Sequence, residues 1–153
     1  EAILAELVTR GFVDLTGRLA KANERLATGQ RLAAAVDSGE AYVGFALDHP
    51  GLFRVMFRPE LCDASRFPVA REAGDRAYNE LVLMVRAVHP DQDASLLSQV
   101  YWAQVHGLAG LLLDGPLGLQ VPSPAQRRVL ARQALTAFAC HMLGLPGGAP
   151  SRR

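Results

Sequence analysis

The chain has 153 residues, 50% of them hydrophobic and 20% charged. That is enough for one domain with a real core, and too apolar for a disordered chain. Sixteen basic residues against 15 acidic ones leave a formal charge of +1, which gives no strong field toward nucleic acid or anionic lipid.

The predicted elements are all helical. Ile3, Leu4, Leu7, Val8, Phe12, Leu15 and Leu19 recur at i, i+3, i+4 spacing, which predicts a first helix from Glu1 to about Ala27, with Gly11 as a possible bend. The chain opens inside this helix without an initiator Met, so a preceding segment is expected. A second helix runs from about Gln30 to Asp48. It stops before His49-Pro50, because the residue before proline disfavours helical backbone. Pro50 then suits the first turn of a short helix, PGLFRVMF. After a loop with Pro59 and Pro68, a third long helix spans about Val69 to Val88, with Tyr78, Leu81, Val82 and Val85 opposite Glu72, Arg76, Asn79 and Arg86.

Asp93 is the expected N-cap of the next helix, which ends at Gly115-Pro116. PLGLQVPSP reads as a loop. Ser123, Pro124 and Gln126 then make a capping-box start for the last helix. That helix ends at Gly144 with a Schellman-type pattern. The prediction is an all-α bundle of five long helices and one short one, a single domain over 1–146 with a disordered tail over 147–153.

The helix after Asp93 is unusual. From Leu96 to Leu113 it carries no Asp, Glu, Lys or Arg. Eighteen such residues approach a membrane span, but Ser98, Gln99, Gln104 and His106 interrupt them, and a buried or paired helix is the better reading. At 100° per residue, Ala103, Gly107 and Gly110 form a side-chain-poor stripe, while Tyr101, Val105, Leu108 and Leu112 form a second face. The last helix is also apolar on two sides. Leu130, Ala134, Ala137, Phe138 and Met142 could face a core, leaving Leu135, Ala139 and Leu143 elsewhere. A soluble monomer rarely exposes so much contiguous apolar surface. A two-fold homodimer pairing these two helices as a four-helix bundle is the economical solution.

Other chemistry finds little support. Cys62 and Cys140 are far apart with no C-x-x-C, which fits a reducing, cytoplasmic compartment. His49, His89, His106 and His141 fall in four separate segments, without the spacing of a metal site. There is no serine elbow, no glycine-rich phosphate loop and no cofactor motif, so an enzyme is not expected. Arg127, Arg128 and Arg132 suggest a solvated edge or interfacial ion pairs.

AYVGFALDHPGLFRVMF, followed some fifty residues later by YWAQVHGLAGLLLDG, resembles the C-terminal regulatory domain of TetR/AcrR-family transcriptional regulators. It is most similar to the subgroup with a Trp-x-x-x-His-Gly signature, here Trp102, His106 and Gly107. EAILAEL is similar to the segment that follows the recognition helix in this family. The resemblance implies a one-component repressor that dimerises through its last two long helices and binds a small apolar or aromatic effector. Residues 1–27 would connect to an N-terminal helix-turn-helix domain that this sequence does not contain, and operator DNA would be bound only through that domain.

On this reading the effector pocket is expected from Tyr42, Phe45, Phe53, Met56, Phe57, Met84, Tyr101, Trp102 and His106, an aromatic, pliable lining with a few polar tips. Each is also a reasonable core residue, and His106 could equally be held by a neighbouring hydrogen bond. The dimer interface is expected from Ala103, Gly107, Gly110, Leu111, Leu135, Phe138, Ala139 and Met142. The competing reading is a helical interaction module with a solid core and no effector.

Overall fold

The computed structural model describes residues 1–147; the expected tail beyond Gly147 lies outside them. Among the described residues there are helices and no strands. The α-helices are α1 (Ala2–Asn23), α2 (Arg31–Asp48), α3 (Pro50–Met56), α4 (Pro68–Val88), α5 (Ala94–Leu113), α6 (Pro116–Gln120) and α7 (Pro124–Met142).

The centre of the bundle is α2, which packs against α1, α4, α5 and α7. Its sequence explains this: Ala34, Ala35, Val36, Ser38, Tyr42, Val43, Phe45 and Ala46 are buried, on nearly every side of the helix. The apolar α5 is less central. Tyr101, Val105, Leu108 and Leu112 are buried as their shared face predicts, but its opposite side is open.

α1 lies along α4, its stripe of Ala5, Val8, Gly11, Leu15 and Leu19 buried. α4 answers with the small residues Ala70, Ala73 and Ala77, which let the two backbones come close. The helix is continuous through Gly11. That glycine makes room for α3: a Cβ there would lie 3.2 Å from Leu52 Cγ and would strike the Met56 side chain. The α-helical part of α1 ends at Asn23 rather than Ala27, and Glu24–Thr28 tightens into a 3₁₀ turn. Asn23 fixes that end by donating from Nδ2 to the Glu80 carbonyl (3.0 Å) and carboxylate (2.8 Å) on α4.

The helix ends follow backbone chemistry. Pro50 and Pro68 occupy first-turn positions, where a missing N–H costs nothing. Asp93 Oδ1 accepts from the N–H groups of Ser95 and Leu96. The Leu145 N–H donates to the Cys140 carbonyl and the Gly144 N–H to that of His141, the paired bonds of a Schellman end.

Two expectations fail here. PLGLQVPSP contains a helix, α6, with Pro116 in its first turn. Ser123 makes no side-chain capping bond. Instead Arg127 reaches back, donating from Nε to the Val121 carbonyl (2.8 Å) and from Nη2 to that of Gly118 (2.9 Å). Arg127 thus braces the α6–α7 turn, and Pro124 leaves one fewer N–H needing a cap.

α7 sits in the opposite sense to the expected one. Ala131, Leu135 and Ala139 face inward. The cause lies on α2: Gly39 leaves a notch into which Leu135 fits, its Cδ2 only 2.5 Å from where a Cβ would stand. Ala137 is exposed, and Leu130, Ala134, Phe138 and Met142 are half-buried. Arg128 and Arg132 pair within the chain, with Asp48 and Glu40 of α2. Asp48 also takes Arg18 of α1 at 2.8 Å. The Arg18 hydrogen bond holds the Asp48 carboxyl below its usual value, and Arg128 adds to that. One carboxylate at the end of α2 therefore ties together α1 and α7.

Candidate functional site

Between the helices lies a cavity of about 390 Å³, bounded by all five long helices. α1 gives Phe12, Leu15 and Leu19, and α2 gives Ser38, Gly39 and Tyr42. α4 supplies Asp75, Ala77, Tyr78, Leu81 and Met84; α5 supplies Tyr101, Trp102, Gln104 and Val105. Leu135, Phe138 and Ala139 of α7 close one side, and Phe57, just past α3, another. The walls are mostly aromatic and aliphatic carbon with a few polar groups, the usual make-up of a small-molecule site.

The cavity exists because the residues spaced along its walls differ sharply in size. Gly74 and Ala77 sit where larger side chains would reach into the space, while rings from facing helices prop the walls apart. Tyr78 meets Trp102 edge to face at 5.9 Å, and Tyr101 meets Phe138 at 5.1 Å.

The Trp-x-x-x-His-Gly residues are joined by a tyrosine from another helix. Tyr42 Oη lies 2.7 Å from His106 Nδ1, and Trp102 Nε1 donates to Tyr42 Oη at 3.4 Å. The hydroxyl accepts from the indole and is hydrogen-bonded to Nδ1, so the three side chains form one connected group. Burial pushes the Tyr42 phenol well above its ordinary value and His106 below the ordinary imidazole range. Both are therefore neutral at pH 7. His106 is enclosed by Phe57 at 4.8 Å and Phe53 at 5.3 Å. A second pair stands deeper. His89 Nε2 lies 2.8 Å from Tyr101 Oη, with Gln92 Nε2 donating to His89 Nδ1 at 3.4 Å. Burial, with Arg31 nearby, lowers the His89 pKa; burial raises Tyr101 to about 12.

Of the nine residues expected to form a pocket, Tyr42, Phe57, Met84, Tyr101 and Trp102 line the cavity. Four do not. Phe45 is fully buried on another side of α2, under the Arg18 guanidinium at 5.6 Å and beside His49. Phe53 packs behind Tyr42, with ring centroids 5.7 Å apart. Met56 fills the notch at Gly11. His106 stands behind Tyr42 and holds its hydroxyl.

The α1 side chains Phe12, Leu15 and Leu19, and Tyr78 with Leu81 on α4, were missed as lining residues. Their helical spacing marks them as inward-facing, but cannot say that the inside is partly empty.

The expected interface residues divide as well. Ala103, Gly107 and Leu111 are exposed; Gly110, Phe138 and Met142 are half-buried. Leu135 and Ala139 are buried within the subunit and face the cavity, so they offer nothing to a partner. The Gly39 notch that admits Leu135 turned that face inward.

Among the described residues, no group of three His, Cys, Asp or Glu side chains could hold a metal, and no helix is long and apolar enough to cross a membrane.

The fold and site define a small all-α domain with an aromatic-lined cavity between its helices. A family model described as the tetracyclin repressor-like, C-terminal domain matches residues 35–138, from α2 into α7. The chain belongs to this family of TetR-type regulatory domains. No curated protein and no solved structure matches it.

Proposed function

We propose that this domain is the effector-binding and dimerising part of a transcriptional repressor. A small apolar or aromatic molecule occupies the cavity, and a homodimer passes the change to helix-turn-helix heads on operator DNA. The observation that carries the reading is the 390 Å³ cavity with five aromatic-bearing walls. A solid interaction module has no use for such a space, because a void forfeits packing contacts.

The dimer reading rests on two open, uncharged faces. Leu96, Gln99, Val100, Ala103, Gly107 and Leu111 of α5 are exposed, and so are Gln126, Val129, Gln133, Ala137 and His141 of α7. Neither face carries an acidic or basic side chain apart from the imidazole. The α7 arginines are spent on intrachain bonds. Such faces are what a two-fold helical interface needs at its centre. The α7 contribution is centred on Val129, Gln133 and Ala137 rather than Leu135 and Ala139.

α1 is the natural transmitter, since Phe12, Leu15 and Leu19 form a cavity wall on the helix nearest any upstream head. A molecule in the cavity shifts the head spacing only to the extent that it binds the two arrangements unequally.

Trp102, the single tryptophan, lines the cavity and reports on it directly. Titrating neutral aromatic compounds should shift its emission and raise the melting temperature. A ligand at 100 times its dissociation constant stabilises by about 2.7 kcal/mol. Ala77→Phe, which fills the cavity from α4, should abolish both responses. A chain indifferent to every compound of fitting size, with Ala77→Phe more stable than the parent, would argue for the solid-module reading.

A further inference from the structure

We infer that the occupant of this cavity is a lipophilic amine, an apolar aromatic or alicyclic body carrying one ammonium group. This rests on the effector reading above and narrows it to a ligand class.

Charge on the wall is the first observation. Among the described residues no Arg, Lys or His lines the cavity, and Asp75 is the one carboxylate on its wall. Asp75 is exposed at the α4 edge and forms no ion pair among the described residues, while its neighbour Arg76 turns instead to Glu72 at 3.5 Å. The two histidines nearest the site stand behind tyrosine hydroxyls and are kept neutral by burial, so neither supplies a positive charge.

The second observation is position. Asp75 precedes Tyr78 by three residues, so the carboxylate and the ring share one face of α4. That ring meets Trp102 edge to face at 5.9 Å. A carboxylate beside tyrosine and indole rings is the pairing that attracts an ammonium, through charge on one side and ring quadrupoles on the other.

A carboxylate ligand would add negative charge beside Asp75, with no described cation on the cavity wall to meet it.

The test uses three probes with one body on the full chain: naphthalen-2-ylmethylammonium, naphthalene-2-methanol and naphthalene-2-carboxylate, followed by calorimetric titration. The ammonium should bind about tenfold more tightly than the alcohol, and the carboxylate at least about tenfold more weakly. Asp75→Asn should bring the ammonium-to-alcohol ratio close to one. Because Asp75 is exposed and unpaired, thermal unfolding of the variant should match the parent and certify the fold. A carboxylate that binds as well as the alcohol, or an ammonium preference that survives Asp75→Asn, overturns the inference and leaves the cavity reading standing. If none of the three binds, the cavity reading fails and the inference falls with it.

Discussion

Gly107 offers the cleanest separation of fold from assembly. It lies in the interior of α5 on the open face, and a Cβ placed there meets no atom within 4 Å in the subunit. Gly107→Leu should therefore fold normally. It should even gain helix stability, since glycine in a helix interior is worth about 0.5–1 kcal/mol less than a good helix former. If the stripe is a two-fold interface, each dimer receives two leucines where the partner helix must approach. Overpacking costs about 1–3 kcal/mol per site, so association should weaken by about 2–6 kcal/mol, or about thirtyfold at the least. Gly17→Leu is the matched control, an exposed mid-helix position on α1 that is equally open in the subunit. Sedimentation velocity over a concentration series measures association, and circular dichroism checks the helices. A Gly107→Leu chain with native helicity and an unchanged dimerisation constant would refute the interface assignment. Equal weakening by Gly17→Leu would show that the effect is not local to α5.

Gly39→Ala should lower stability by about 1–2 kcal/mol, overpacking against Leu135 outweighing the helix gain; combining it with Leu135→Ala should be strongly non-additive in urea unfolding. Tyr42→Phe strips the partner from both Trp102 Nε1 and His106 Nδ1, and should cost about 1–3 kcal/mol, with a shift in Trp102 emission; an unchanged urea midpoint would sink this account of the signature residues. The lowered folded-state pKa of His89 and of His106 means that the unfolded chain takes up protons first as pH falls. Stability contributed by these imidazoles is thus full above the unfolded value of about 6.5 and is lost as pH drops through the folded values. Urea midpoints should fall from pH 7.5 to pH 5.5, and His89→Phe or His106→Phe should each flatten the slope.

What the sequence made legible was whatever depends on neighbours along one helix. The ends at Asp48, Asp93 and Gly144 follow from proline sterics, an acidic cap and a C-terminal glycine. The buried face of α5 follows from its period. What it hid depends on which helix lies opposite. α7 is apolar on two sides, and nothing in its own pattern says that Gly39, some ninety residues earlier, opens the notch that draws in Leu135. Four of the nine expected pocket residues fall outside the cavity for a related reason. Phe45, Phe53 and Met56 have the composition of a lining, but they pack on Arg18, Tyr42 and Gly11, where no space is left. His106 was read with two possible roles, and the hydroxyl of Tyr42, sixty-four residues away, gives it a holding one.

The same separation in sequence explains why the signature residues matter to the cavity without His106 touching it. Tyr42 is the wall, and a tyrosine held only by packing would be free to swing about its side-chain bonds. His106 Nδ1 bonds its hydroxyl and Trp102 donates to its oxygen, so α5 fixes the ring of α2 from two points one turn apart. Phe53 and Phe57 pack against that imidazole, and its partial burial favours the neutral form. Protonating His106 would place a charge against those rings, which its burial disfavours, and so loosen the wall. The aromatic box is therefore what allows the hydrogen bond to persist, and the hydrogen bond is what gives the cavity a fixed shape on that side.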